Sequence, residues 1–226
     1  NQIGDLGNSD DIMHKLKAEA GQKKEIALRC AARLTKSRQE AALLIEKGME
    51  KRLKPLGIPN IRFEVSLTAL PYPKESGMDT ATFRFSANKN TPLQDISQIA
   101  SGGEIARVML SLKAMLTAHT QLSTIIFDEI DTGVSGRIAE KMALMMKEMS
   151  KNGRQVISIT HLPQIAALGE YQYKVYKEDN GNVTTTRIRE LTPQERITEI
   201  AHLLSGEHIT DAAVNNAKEL LNSEEL

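Results

Sequence analysis

From Asp11 to about Lys54, weakly apolar positions recur at alternating intervals of three and four residues. The series is Met13, Leu16, Ala20, Lys23, Ala27, Cys30, Leu34, Ser37, Ala41, Leu44 and Gly48. The segment is rich in Ala, Leu, Lys, Glu, Arg and Gln and contains no Pro, so it predicts one long helix. So narrow a seam suits a coiled coil. A lone helix of this length has little to bury, which makes another helix its expected partner. A long amphipathic helix lying on its own domain is the alternative. Pro55-Leu56-Gly57-Ile58-Pro59-Asn60 stops the helix, and the polar residues 1–10 read as a frayed or linking segment.

Beyond the stop, the period changes to two. Ile61, Phe63, Val65 and Leu67 mark a strand over 61–70, and Thr80 to Ala87 a second. Pro71-Tyr72-Pro73-Lys74-Glu75-Ser76-Gly77 between them reads as a long connection, giving an antiparallel hairpin. From Gln98 the pattern becomes α/β. A helix over Gly103–His119 precedes an apolar strand, Ser123–Phe127, of the kind buried on both faces. A Met-rich helix over Gly136–Lys151, another buried strand over Gln155–Thr160 and a short helix over Pro163–Leu168 follow. Tyr173–Lys177 and Val183–Glu190 flank the turn Asp179-Asn180-Gly181-Asn182. Helices over Pro193–Leu204 and Thr210–Leu221 close the chain, the first with Thr192 and Glu195 as a capping box. The expected organisation is a linker over 1–10, a helical arm over 11–54 and an α/β lobe over 55–226.

Composition narrows the class without naming a function. With 226 residues, 40% hydrophobic and 26% charged, the chain is an ordinary globular one. Formal net charge is +0, so the whole gives no argument for nucleic acid. Residues 1–55 carry 12 Lys+Arg against 8 Asp+Glu, leaving 17 against 21 in the remainder. That modestly basic arm could touch phosphates, but a solvated helical face is the plainer reading. The single cysteine, Cys30, fits a reducing cytoplasm, and no apolar run of about 18 residues suggests a membrane span. The N-terminus has neither an initiator Met nor a signal-peptide pattern, and reads as a cut inside a larger protein.

Three segments carry candidate chemistry. The strand Thr124-Ile125-Ile126-Phe127 ends in Asp128 and Glu129, which places two carboxylates at the C-terminal edge of a parallel sheet. One can orient a Mg²⁺ ion and its waters, and the next can accept a proton from an attacking water. A strand-to-helix cap is the plainer explanation. Ser101-Gly102-Gly103-Glu104 opens a helix periodic in Ile105, Val108, Met109, Leu112, Met115 and Leu116. Its glycines allow close backbone approach to an oxyanion, at a helix N-terminus whose free N–H groups favour one. A capped helix accounts for Ser101 and Glu104 but not for two helix-weakening glycines. His161 ends the third segment, Val156-Ile157-Ser158-Ile159-Thr160. The three lie about 30 residues apart, roughly one βα unit each. A phosphate loop of the form G-x-x-x-x-G-K-[ST] occurs nowhere in the sequence.

In this order, the three segments resemble the C-terminal half of the RecN family, the bacterial SMC-like DNA-repair ATPases. The resemblance runs from about Gly77 to Ser205. It is most specific in Ile99-Ala100-Ser101-Gly102-Gly103-Glu104, in Phe127-Asp128-Glu129-Ile130-Asp131-Thr132-Gly133-Val134-Ser135-Gly136, and in Thr160-His161-Leu162-Pro163-Gln164-Ile165-Ala166-Ala167. Thr91-Pro92 and Ile105-Ala106 depart from the family pattern outside the chemistry. The resemblance implies the C-terminal lobe of an ABC/SMC-type P-loop NTPase head, a parallel sheet with flanking helices, plus a coiled-coil stub. It implies ATP and Mg²⁺ as cofactors. Ser101, Gly102, Gly103 and Glu104 would form the signature motif, which meets the γ-phosphate held on an opposite head. Asp128 would be the metal ligand, Glu129 the general base, Asp131 the acid of the D-loop and His161 the switch histidine. Implied partners are the N-terminal lobe with the phosphate loop, a second head and DNA, in the cytoplasm at the nucleoid. The chain alone would then bind ATP weakly and not hydrolyse it. The alternatives are a head of another SMC or RecF type and a nucleotide-independent oligomerisation module.

Overall fold

The computed structural model describes residues 2–99, 101–117, 120, 122–134, 136–151, 153–179, 181, 183–206 and 208–222, with side chains from residue 11 onward. Ala100, the His119 end of its helix, Ser135, Asn180 and Asn182 of the expected turn, and Asn1 with the side chains of the expected linker lie outside the described residues. The chain divides into two compact units, residues 1–50 with 62–97 and residues 51–61 with 98–226.

The first unit holds the long helix α1 (Gln2–Leu53) up to Glu50 and an antiparallel sheet in the order β1 (Arg62–Lys74), β2 (Gly77–Ser86), β3 (Gln94–Asp95). The expected long connection is not there. β1 runs on through Pro71 and Pro73, so the turn is Glu75-Ser76. Pairing runs from Arg62↔Ser86 to Ala69↔Asp79, then slips before Lys74↔Gly77. Prolines cannot donate to a ladder, and this irregularity is where a strand accommodates them.

On α1, Ala31, Ala42 and Met49 are buried, with Thr35, Arg38 and Ile45 half-buried between them. This stripe lies one residue beyond the expected seam at Cys30, Leu34, Ser37, Ala41, Leu44 and Gly48. It faces the hairpin: the Glu46 carboxylate accepts from Val65 N at 2.9 Å, and Arg38 Nη2 donates to Ser76 O at 2.7 Å. Of the expected seam, Cys30, Ser37, Ala41 and Leu44 are exposed, Leu44 by 71%, while Leu34 meets the hairpin at Gly77. Gly77 (φ 108°) makes the tight approach possible, since a Cβ there would stand 3.0 Å from Leu34 Cδ2. Strand alternation puts Asp79 on the same hairpin face as Phe63 and Phe85, and it is buried. The Thr35 hydroxyl and the Arg38 guanidinium both donate to its carboxylate. Those bonds, Thr35 first, hold its carboxyl below the usual carboxylate range.

In the second unit α2 (Gly102–Thr117), β4 (Thr124–Asp128), α3 (Gly136–Met149), β5 (Gln155–Ile159) and α4 (Pro163–Ala167) alternate. β6 (Tyr173–Asp179), β7 (Thr184–Glu190), α5 (Pro193–Ser205) and α6 (Asp211–Asn222) follow. β4 and β5 pair in parallel from Thr124↔Gln155 to Asp128↔Ile159, as expected for an α/β lobe. Their predicted burial on both faces does not hold. Ile125 and Phe127 are buried, whereas Ile126 (60% exposed), Ile157 and Ile159 share an open face. These strands are apolar on both sides, as in a sheet covered twice, and this chain covers one side. The Met-rich helix α3 buries Met142, Met146 and Met149, and α4, α5 and α6 close around Ala167, Ile200, Ala201, Ala213 and Ala217.

The capping box forms in full. Thr192 Oγ1 accepts from Glu195 N at 3.4 Å, and the Glu195 carboxylate accepts from Thr192 N at 2.9 Å. The Thr192 N–H, then the Arg189 guanidinium and the Thr192 hydroxyl, push the Glu195 carboxyl down to about 2.

Candidate functional site

Because β4 and β5 run parallel, both leave the sheet at one edge. Asp128 ends the first strand on its open face, opposite Ile159, and is exposed. Glu129 follows, also exposed, with φ at 48°. Its carbonyl accepts from Thr132 N at 3.4 Å and Thr132 Oγ1 at 3.0 Å, and Val134 N donates to Asp131 O at 3.1 Å. The chain thus turns sharply straight after the two carboxylates.

The loop after β5 is tied to that turn. Asp131 is 1% exposed, and its Oδ2 accepts from the Thr160 hydroxyl and from His161 N at 3.3 Å. Thr160 Oγ1 in turn accepts from Leu162 N at 3.0 Å. His161 Nδ1 lies 3.6 Å from the same carboxylate oxygen, while the imidazole is 71% exposed. Asp131 Oδ1 has no hydrogen-bond partner among the described residues.

The glycine-rich motif meets the same turn. Ser101 caps α2: its Oγ accepts from Glu104 N at 3.4 Å and its carbonyl from Ile105 N at 3.0 Å. A Cβ on Gly103 would stand 3.1 Å from Thr132 O and 3.7 Å from Gly133 O, so α2 begins against the loop that follows β4. Gly102 faces open space, and Ser101 and Gly102 are exposed. The structure therefore gathers Gly103, Asp131 and His161 around one turn, with Asp128 and Glu129 at its start. Thr160, Thr132 and Gly133 belong to this arrangement although the sequence alone assigns them no role. Only the Thr-His pair at the strand end hints at Thr160.

Chemically, the edge offers an exposed carboxylate, a second carboxylate beside it, an exposed imidazole and a helix N-terminus. Among the described residues no three metal-ligating side chains cluster. No described helix is long and apolar enough to cross a membrane.

No protein-family model matches the chain. Among curated proteins, the DNA repair protein RecN of Halalkalibacterium halodurans is 36% identical over 195 residues, 84% of this chain and 34% of the relative. RecN of Bacillus subtilis is 34% identical over 236 residues, 97% of this chain and 41% of the relative. The chain thus spans well under half the length of these relatives. The Smc head domain with a coiled coil and joint from Pyrococcus yayanosii has a similar fold, with a TM-score of 0.55 at 18% identity, covering 84% of this chain and 30% of that one. A chain from work on ATP-driven dimerization and DNA-stimulated activation of SMC ATPases gives a TM-score of 0.50 at 18% identity, covering 73% and 93%. With an SMC-head fold and this identity over most of its length, the chain is a homologue of the RecN DNA repair proteins.

Proposed function

We propose that this chain is the C-terminal part of an ATP-hydrolysing head that acts in repair of DNA double-strand breaks. One observation carries the reading: Asp128, Glu129 and His161 leave adjacent parallel strands at one edge, against the turn on which Gly103 is seated. Homology to RecN and the SMC-head fold support it. Ser101, Gly102 and Gly103 present the N-terminus of α2 to the γ-phosphate held by a second head, with Glu104 completing the cap. Glu129 takes the proton of the attacking water, and the exposed His161 imidazole meets the γ-phosphate. Asp128 would hold Mg²⁺, which supplies neutralisation of phosphate charge when bound. The phosphate cradle comes from an N-terminal lobe, and DNA is the partner whose capture two ATP-joined heads control. The site of action is the cytoplasmic nucleoid.

The test is ATP hydrolysis by this chain, alone and mixed with a separately made N-terminal lobe. Activity is expected only in the mixture. Glu129→Gln should lower it by about 10²–10⁴-fold while ATP-dependent head pairing persists. Normal turnover by that variant would sink the base assignment. An inactive mixture that demonstrably forms a complex would sink the ATPase reading.

A further inference from the structure

Asp131 is the most deeply buried ionisable group at the edge, and its surroundings are one-sided. Its Oδ2 takes the Thr160 hydroxyl and the His161 backbone N–H, and the ring nitrogen His161 Nδ1 faces the same oxygen at 3.6 Å. His161 is the sole basic side chain within 4 Å of its carboxylate among the described residues. Removing a carboxylate from water is costly unless donors surround it, and here the donors come from the two residues of the Thr160-His161 step. At 3.6 Å the ring contact is slightly too long for a hydrogen bond. The ring nevertheless lies with Nδ1 toward that oxygen. A carboxylate can only accept from a ring nitrogen, so the nitrogen beside it carries the proton.

We infer that Asp131, steadied by the Thr160 hydroxyl, is a positioning residue that keeps His161 Nδ1 protonated and turned inward. Nε2 then points to solvent. When a proton also sits on Nε2, the outward N–H can meet an anion without either nitrogen having to turn. The nucleotide is the anion at stake, so the functional meaning of the inference rests on the ATPase reading. The placement of the proton does not. Asp131 acts through His161 and needs no contact of its own with nucleotide. This explains how a carboxylate can sit at the centre of a phosphate site while it is 1% exposed.

The experiment is nitrogen-detected NMR of the His161 imidazole in this chain without nucleotide, assigned by loss of the signal in His161→Gln. The wild-type neutral ring should be mainly Nδ1–H. Asp131→Asn should shift the population to Nε2–H, the form free histidine prefers. Thr160→Val should shift it the same way, and Thr160→Ser should restore it. A wild-type ring already in the Nε2–H form would overturn the inference, even if every variant failed to fold. An unchanged tautomer in a folded Asp131→Asn chain would overturn it equally. In the mixture with the N-terminal lobe, Asp131→Asn should lower kcat by about tenfold or more with KM for ATP little changed. An Nδ1–H ring in a chain that never hydrolyses ATP would leave the positioning intact and count against the ATPase reading alone.

Discussion

Gly103 lies tight against the Thr132 carbonyl: a Cβ would stand 3.1 Å from that oxygen. Gly102, one residue earlier, faces open space. The two glycines of the motif therefore serve different ends, one inside the fold and one at its surface. Gly103→Ala should crowd α2 against the turn that carries Asp131, which must give by a few tenths of an ångström, at a cost of about 1 kcal/mol. Gly102→Ala meets nothing and restricts the unfolded chain, so it should be neutral or stabilise by up to about 1 kcal/mol. Thermal unfolding of both variants checks the contrast. If Gly102→Ala is also silent in ATP-dependent head pairing, close backbone approach to phosphate at that position is wrong.

Asp79 is a carboxylate on an otherwise apolar hairpin face, and Thr35 and Arg38 of α1 answer it. Asp79→Ala would leave the half-buried Arg38 without its carboxylate partner. The expected result is faster amide exchange along β1 and β2, with exchange in α5 and α6 unaltered. Unchanged protection of the hairpin would show that the Phe63 and Phe85 face alone holds it to the helix.

Acid should act on the capping box at Glu195. Its carboxyl is pushed from the ordinary 4.5 down to about 2 by the Thr192 N–H, the Arg189 guanidinium and the Thr192 hydroxyl. A depressed folded value stabilises the folded state above the unfolded value. That contribution is complete above about pH 4.5 and is lost as pH falls toward 2. Carboxyl NMR titration should give a midpoint near 2 in the native chain and a higher one in Thr192→Ala. The same substitution should cost about 1 kcal/mol of stability through the lost N-cap.

The open face of β4 and β5 is apolar where water now reaches it. Ile126 and Ile157 pair across the strands there, and Ile159 adjoins them. We expect this face to drive self-association of the isolated chain; Ile126→Lys with Ile157→Lys should leave the fold intact, weaken that association and abolish binding of an N-terminal lobe. Light scattering on a dilution series reads the first effect and co-purification the second. Full binding by a folded double variant would place the lobe contact elsewhere.

Much of this architecture is legible from residue patterns, for identifiable reasons. The capping box needs only Thr192, Glu195 and their spacing, all local. The parallel pair β4–β5 follows from apolar runs separated by a helical period. The neighbouring stripe on α1 is hidden because Ala31, Thr35, Arg38 and Ala42 look like helix filler until a hairpin lies on them. Asp79 is hidden because its partners lie more than forty residues away on another element. Pro71 and Pro73 suggest a loop because the slipped register that accommodates them is set by pairing rather than by composition. At the site, motif order singles out Asp128, Glu129 and His161. The bonds that join Asp131 to Thr160 depend on two loops meeting, which spacing alone does not encode.

Glu129 has the sole left-handed backbone among the described non-glycine residues, at φ 48°. For an L residue with a Cβ, that region costs about 1–2 kcal/mol. A chain shaped for stability alone would place Gly or Asn there. The general-base role proposed for Glu129 would give that strain a reason. The strained residue is also an exposed one, so removing the strain by substitution removes the carboxylate from the edge.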